Sequence, residues 1–325
     1  MIIIAADIGG TSGRFVMDAG DSTEGFDNVL TAGYSSHEWP SFDAMYGQFL
    51  ADHQLSDQQV DLLLLALPGV IHGQHARLTN LPWSLDSRQI YADHPVSRVA
   101  FINDFQAAAY GVSTLKPDDI CVLNEADLQT DRPIVITGVG TGLGMAYRTH
   151  DSEPMVTEGG HVDFAPLDEE QSRLLEYLRG RYPEHVSYER ILSGDGIVDL
   201  YRFLTGADEA RQPTTKDITG QARIGQADPY SRTLRLFTRI LAAFVGNLAL
   251  SFQPFGGLYI AGGIPPKIKE WLKTKEFIEY YSAKGRMSDL VSGIPVILVL
   301  NEGLGLQGAL AQAKKLLIIE KQTTG

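Results

Sequence analysis

Cysteine is almost absent from this chain: Cys121 is the only one in 325 residues. That excludes an intrachain disulfide and any zinc site built from several cysteines. Cys121 sits in the apolar run Ile120-Cys121-Val122-Leu123 and reads as buried strand filler, not as a nucleophile. Basic residues are scarce as well, with Lys plus Arg at 27 against 40 for Asp plus Glu, a formal charge of −13. No lysine- or arginine-rich run offsets this, which argues against a nucleic-acid or anionic-membrane surface. Long apolar runs are missing: the longest, residues 240–252, is interrupted by Gly246 and Asn247 and is too short to span a bilayer. The chain opens on a strand, with no cationic region or cleavage signal, so a cytoplasmic protein is expected. There is no G-x-x-x-x-G-K-[ST], so an ordinary P-loop is absent.

What is present is glycine in two telling places. Ala5-Ala6-Asp7-Ile8-Gly9-Gly10-Thr11-Ser12-Gly13-Arg14-Phe15 places a glycine-dense turn between two strand-like runs, and Thr137-Gly138-Val139-Gly140-Thr141-Gly142-Leu143-Gly144-Met145 repeats the plan. Glycines in such turns leave backbone N–H groups able to hold phosphate oxygens, and threonine adds a hydroxyl donor. Asp7 closes the first strand. A carboxylate beside a phosphate nest is repulsive without a cation between them, which points to Mg²⁺, directly or through water. The plain alternative is two ordinary glycine hairpins. Two copies of one unit, each opening an α/β half, look like the paired phosphate clamps of the actin-like and hexokinase-like ATPases. With 44% apolar and 21% charged residues the composition is that of a globular protein, and 325 residues is longer than one core usually fills, so two α/β lobes are expected.

Residues 60–67 form a near-continuous apolar run, as expected of a strand covered on both faces. Residues 41–53 predict a helix capped by Ser41, with Phe42, Met45, Tyr46 and Phe49 on one face. Residues 78–85 read as mostly loop, 99–102 as a strand and 106–112 as a helix. In the second half, strands are expected at 120–123, 134–136, 145–147, 258–261 and 296–300. Helices are expected at 169–181, up to 203, at 231–250, after Pro266 and at 304–318. Residues 18–24 and 206–230 are polar, the latter a surface segment. Gly303-Leu304-Gly305-Leu306-Gln307-Gly308 fits G-x-G-x-x-G, but no strand with an acidic residue follows, so a dinucleotide site is rejected.

The candidate chemistry lies elsewhere. Asp104 ends a strand and opens a helix, so it is either a cap or a general base at the mouth of the sheet. Asn103 offers a donor and an acceptor suited to a sugar hydroxyl. Glu158 and His161 flank two glycines, too irregular for a helix, so both can project to one place. A metal held by Glu158, His161 and Asp163 is conceivable but has no helix to fix the ligands, and ranks below hydroxyl binding. Glu189 precedes an apolar helical run, where an acidic first-turn residue is the alternative to a ligand.

Taken jointly, Ala6-Asp-Ile-Gly-Gly-Thr11, Phe101-Ile-Asn-Asp-Phe105, Gly138-Val-Gly-Thr-Gly-Leu-Gly144, Glu158-Gly-Gly-His-Val-Asp-Phe-Ala-Pro166, Glu189-Arg-Ile-Leu-Ser-Gly194 and Ile260-Ala-Gly-Gly-Ile264 occur in order. In this the chain resembles the bacterial glucokinase family of the hexokinase-like, non-ROK type, from Ile3 to the final helix. The resemblance implies a two-lobed actin-like ATPase (ribonuclease H-like) α/β fold with an interlobe cleft. Residues 1–107 would form the small lobe, with 302–325 returning to it, and 108–301 the large lobe. It implies that Asn103, Asp104, Glu158, His161 and Glu189 hold glucose, with Asp104 as the catalytic base. Ala6, Asp7, Ile8, Gly9, Gly10, Thr11, Gly138, Gly140, Thr141 and Gly142 would grip ATP. Gly262 and Gly263 would lie beside the adenosine, and Asp7 would serve Mg²⁺. A homodimer, cytoplasmic and bound to neither nucleic acid nor membrane, is the expected state. Ser12-Gly13 departs from the family's Asn-Ala, which puts the grip at that end of the turn in question. Residues 206–230 match weakly and carry no assigned role.

Three rival readings remain: a kinase for mannose or an amino sugar, a sugar-responsive repressor, and an actin-like filament or chaperone ATPase. A strand beginning at Ile2 leaves no room for the repressor's DNA-binding module. The filament reading leaves Asn103, Glu158, His161 and Glu189 without employment.

Overall fold

The computed structural model describes residues 1–20, 29–78, 81–150, 152–208 and 212–324, with side chains described as far as residue 318. Parts of the expected segments 18–24, 78–85 and 206–230 lie outside the described residues. The chain divides into two compact units, Met1–Leu115 with Gly303–Gly325, and Lys116–Glu302.

The first unit is built on a sheet of β1 (Ile3–Ile8), β2 (Ser12–Asp18), β3 (Val29–Ser35), β4 (Leu62–Leu67) and β8 (Val99–Asn103), in the order β3-β2-β1-β4-β8. β1 pairs antiparallel with β2 and parallel with β4, which in turn is parallel to β8. Strand side chains alternate between faces, and β1 uses both. Ile4, Ala6 and Ile8 join one core with Phe15 and α1 (Phe42–Asp52), whereas Ile3 and Ala5 join another with α3 (Asp104–Gly111) and α11 (Leu304–Thr324). β4 divides likewise, Leu63, Leu65 and Leu67 on one side and Leu62, Leu64 and Ala66 on the other. Its unbroken apolar run has this two-sided burial as its cause.

α1 starts where Ser41 Oγ accepts the Ala44 N–H. Its apolar face stacks Phe42, Tyr46 and Phe49 on Phe15, with ring centroids of Phe15 and Phe49 4.7 Å apart. Such pairs contribute about 0.5–1.5 kcal/mol each beyond the area they bury. The rejected G-x-G-x-x-G run has a packing explanation: a Cβ at Gly308 would strike the Ala107 carbonyl of α3, and one at Gly111 would strike Leu304. The two helices need those glycines to cross closely. A buried Lys314–Asp18 ion pair of 2.5 Å ties α11 to β2.

Residues 81–83, in the stretch read as mostly loop, lie outside any strand, while the ends of that stretch belong to a small antiparallel sheet of β5 (Gly69–His72), β6 (His75–Leu78) and β7 (Ser84–Asp86), followed by α2 (Ser87–Asp93). Its strands run only three or four residues, so the alternation of buried and exposed positions spans too few residues to stand out.

The second unit repeats the plan. β9 (Ile120–Asn124), β10 (Ile134–Val139), β11 (Leu143–Arg148), β12 (Met155–Thr157), β13 (Leu258–Ala261) and β14 (Val296–Val299) form a sheet in the order β12-β11-β10-β13-β14-β9. The run β12-β11-β10-β13-β14 has the same directions as β3-β2-β1-β4-β8: two antiparallel pairings, then two parallel ones. β9 adds an antiparallel edge, and on it Cys121 is half-buried, not fully enclosed as expected.

α4 (Glu169–Arg181) and α5 (Gly194–Thr205) flank this sheet, with α7 (Pro229–Phe252) running through the core. α7 is capped by Asp228, whose carboxylate accepts the N–H groups of Tyr230 and Ser231, with Pro229 at the first helical position. By length and composition α7 could cross a membrane, but 78% of its most apolar window is buried inside the protein, as in a core helix. The segment expected to be polar surface contains α6 (Thr215–Gln221), which buries Ile218. After Pro266 come two short helices, α8 (Lys269–Leu272) and α9 (Lys275–Ser282), not one, and α10 (Ser288–Ser292) follows.

Candidate active site

In the first unit, the turn between β1 and β2 is closed by the Gly9 N–H donating to the Ser12 carbonyl at 2.9 Å. Ser36, buried just beyond β3, holds the turn from outside. Its hydroxyl donates to the Gly9 carbonyl at 2.9 Å and its N–H to the Thr11 carbonyl at 3.1 Å. In a trans peptide the C=O and the following N–H point in opposite directions. Drawing the Gly9 carbonyl toward Ser36 therefore turns the Gly10 N–H the other way. The Gly10 and Thr11 N–H groups make no hydrogen bond among the described residues, so two adjacent donors are available to an anion.

Ala6, Asp7 and Ile8 end β1. Asp7 Oδ2 accepts from Arg14 Nη2 at 2.7 Å across the β1–β2 pair. The cation beside this carboxylate is thus a guanidinium supplied by the chain itself. Asp7 Oδ1 has no hydrogen-bond partner among the described residues, and a Cβ at Gly305, in the first turn of α11, would lie 3.1 Å from Oδ2. Magnesium takes one or two carboxylates together with phosphate oxygens and water, and the one free oxygen of Asp7 fits that demand. Gly13, the departure noted in the sequence, lies on β2 where a Cβ would come 2.5 Å from the Met45 methyl. The methionine fills the space that a larger residue at this position would use.

Asn103 and Asp104 sit where β8 passes into α3, in the same unit. Asn103, not Asp104, is the helix cap: its Oδ1 accepts the Phe105 N–H at 2.8 Å while Gln106 Oε1 accepts the Asn103 N–H at 3.3 Å. The cap engages the acceptor of Asn103, so its amide donors are what it can offer a ligand. Asp104 is the first helical residue, half-buried, and its Oδ1 accepts the Phe105 N–H at 3.0 Å.

In the second unit the turn between β10 and β11 closes with the Gly140 N–H donating to the Gly142 carbonyl, 2.9 Å, and the Gly140 carbonyl accepts the Gly194 N–H of α5, also 2.9 Å. Thr141 and Gly142 have N–H groups without a hydrogen bond among the described residues. Gly138 faces Gly144 across the pair. Gly262, with φ at +99°, packs on Val139 at the foot of this turn, where a Cβ would strike the backbone; Gly263 beside it is open.

Glu158, His161 and Glu189 come together here. Gly159 and Gly160 lie against Met145 and the Leu143 carbonyl of β11, an approach no side chain permits. The Glu189 N–H donates to the Gly160 carbonyl at 3.0 Å. His161 Nε2 lies 3.6 Å from Glu189 Oε1 and 3.9 Å from Glu158 Oε2. The side chains are graded in exposure, 87% for Glu158, 54% for His161 and 30% for Glu189. Two carboxylates that accept and an imidazole between them suit an array of hydroxyls. Asp163 is not part of the group: it pairs with His185 Nε2 at 2.9 Å, so the metal trio Glu158, His161 and Asp163 is not assembled.

Glu189 is held firmly. Tyr188 before it accepts from Asn247 Nδ2 at 3.1 Å, and Asn247 Oδ1 accepts from Lys284 Nζ at 2.7 Å. Burial pushes the Lys284 ammonium pKa down and the Tyr188 phenol pKa up. Arg190 after it lies over the Tyr182 ring, 4.2 Å from guanidinium carbon to centroid, and Tyr182 donates to the buried Asp199. Glu189 therefore lies in an anchored turn before α5, not in a helix's first turn.

Two units sharing one sheet order, each opened by a strand, a glycine turn and a returning strand, define the actin-like ATPase (ribonuclease H-like) fold. A solved glucokinase from an Antarctic psychrotroph aligns with a TM-score of 0.82 and 31% identity, covering 97% of this chain and 99% of that one. The family model described as Glucokinase matches residues 4–316. Curated glucokinases from Escherichia fergusonii and Trichormus variabilis are 37% and 35% identical over 97% of this chain, and over 97% and 99% of their own lengths. The chain belongs to the glucokinase family.

Proposed function

We propose that the protein is an ATP-dependent hexose kinase that transfers the γ-phosphoryl group of MgATP to the 6-hydroxyl of glucose, giving glucose 6-phosphate and ADP as the first step of glycolysis. The observation that carries this reading is the gathering of Glu158, His161 and Glu189 against a glycine turn with two N–H donors that are unbonded among the described residues. Phosphoryl transfer asks chiefly for alignment and charge neutralisation. Gly9 to Thr11 and Gly140 to Gly142 would hold phosphate oxygens, with Ala6, Asp7, Ile8 and Gly138 setting the turns. Gly262 and Gly263 would lie beside the adenosine. Mg²⁺, bound through Asp7 directly or through water, would neutralise charge on the transferred group. Asn103, Glu158, His161 and Glu189 would hold the sugar hydroxyls. Asp104 would take the proton of the 6-hydroxyl as its oxygen bonds to the γ-phosphorus and the bond to the ADP oxygen breaks.

We place the protein in the non-ROK branch, because a single cysteine cannot supply the cysteine-rich zinc motif of ROK sugar kinases. By family we place it in the cytoplasm as a homodimer. The runner-up is a kinase for mannose or an amino sugar, which the same polar set could hold. Kinetics with a panel of hexoses decide between them. Asp104→Asn tests the chemistry: kcat is expected to fall by roughly 10²–10⁴ with sugar affinity little changed, the contribution typical of a positioned base. Near-intact turnover would overturn the assignment.

A further inference from the structure

Glu189 has a second contact that its place among the sugar residues does not explain. Its Oε2 accepts the Leu143 N–H at 2.8 Å, and a Cβ at Gly142 would lie 2.6 Å from that oxygen. The Leu143 N–H belongs to the same peptide plane as the Gly142 carbonyl, and that carbonyl closes the second glycine turn by accepting from Gly140. The two ends of a trans peptide point in opposite directions, so fixing the N–H outward fixes the carbonyl inward. The other oxygen, Oε1, faces His161 at 3.6 Å. One carboxylate thus has an oxygen in the hydroxyl-binding group and an oxygen on the turn.

We propose that Glu189 is a positioning residue for the phosphate-holding turn Gly140–Gly142 as well as a sugar ligand, so that hexose and nucleotide are coupled through this single side chain. The inference rests on the reading of the two sites given above. A hydroxyl donating to Oε1 orders the carboxylate, and the ordered carboxylate holds the Leu143 N–H and with it the turn. Coupling of this kind is reciprocal, so nucleotide tightens sugar by the same factor that sugar tightens nucleotide.

The test is calorimetric titration of MgADP into the full-length protein without sugar, and of glucose without nucleotide, for the native chain and for Glu189→Ala, Glu189→Gln and Glu158→Ala. A charged hydrogen bond left unmade corresponds to roughly tenfold in affinity. Glu189→Ala is expected to weaken MgADP by about that factor, and Glu189→Gln, whose amide oxygen still accepts, by less. Glu158→Ala is expected to weaken glucose alone. Circular dichroism of each variant establishes that it is folded, and the Glu189→Gln comparison carries the test should Glu189→Ala not be. MgADP affinity unchanged in both Glu189 variants would overturn the proposal, as would an equal loss in Glu158→Ala. Glucose affinity unchanged in all three would instead overturn the sugar site, whatever MgADP does.

Discussion

The two glycine turns follow one plan and are secured by different means. Each opens with a glycine N–H closing the turn, and each has that glycine's carbonyl drawn away from the two N–H groups that make no hydrogen bond among the described residues. In the first turn the Gly9 carbonyl is held by the Ser36 hydroxyl; in the second the Gly140 carbonyl is held by the main-chain Gly194 N–H at the start of α5. The carboxylates differ also. The first turn carries its own, Asp7, neutralised by Arg14, while the second has Gly138 at the matching place and receives Glu189 from outside. An anion nest needs its carbonyls out of the way, and either a side chain or a helix start can meet that need. What differs is how the carbonyl of each can be released: one hydroxyl holds it in the first, whereas in the second that hold is main chain and yields only to a change in the backbone.

Gly194 supplies the sharpest break. Proline is tolerated at the first position of a helix, and Ser193 before it is extended, φ −148° and ψ 174°, as a residue preceding proline must be. Gly194→Pro would therefore keep α5 while replacing the donor to Gly140 with a ring methylene pressed on its carbonyl. The KM for MgATP is expected to rise by roughly 10- to 100-fold, the cost of a carbonyl left without its donor and crowded by the ring. Gly194→Ala is the control, since a Cβ there has ordinary contacts at 3.7 Å and 3.8 Å. Steady-state kinetics on both variants check this; equal KM values would mean the helix start does not hold the turn.

Ser36→Ala removes one donor from the first turn and leaves the Ser36 N–H to the Thr11 carbonyl in place. A smaller effect follows, about a fivefold rise in KM for MgATP from roughly 1 kcal/mol, with the KM for glucose unmoved. A matching rise for both substrates would indicate general loosening of the unit.

How much of this was legible in the chain depends on where the physical cause lies. β1, β4 and both turns could be read because burial on two faces leaves continuous apolar runs and close turns leave glycines. β3 and the strands β5 to β7 could not, because their alternation is short or weak: His75-Ala76-Arg77-Leu78 alternates over only four residues, and Leu30, Ala32 and Tyr34 of β3 are only partly buried. α6 was hidden in a polar segment because its burial rests on Ile218. Residue types marked the site, and Asp7, Asn103, Glu158, His161 and Glu189 stand out for their chemistry. Their partners do not: Ser36 lies 27 residues from Gly9, and Glu189 lies 46 from Leu143. One signal was available and pointed elsewhere. Gly246-Asn247 in the apolar run of α7 argued against a membrane span, when it also marked a polar contact, Asn247 with Tyr188, behind Glu189.

The smallest expected effect concerns the departure at Gly13. A sequence comparison alone makes Ser12-Gly13 a change in the grip of the first turn, but Gly13 faces inward against Met45 and Ile8. The atoms a new Cβ would meet first, 2.5 Å and 2.9 Å away, are the methyl and sulfur of a methionine, the most adaptable end of any apolar side chain. Gly13→Ala should therefore cost less than about 1.5 kcal/mol in chemical denaturation, as a small overpacking that a side chain can relieve. The KM for MgATP should stay within about twofold, since neither Ser36 nor the closing hydrogen bond is touched. Gly13→Ala with Met45→Leu should be no less stable than Gly13→Ala alone, because the shorter side chain gives up the contested space. A large KM change with stability intact would show that the turn senses the β2 side of Gly13, and the first turn would then depend on its strand as the second depends on α5.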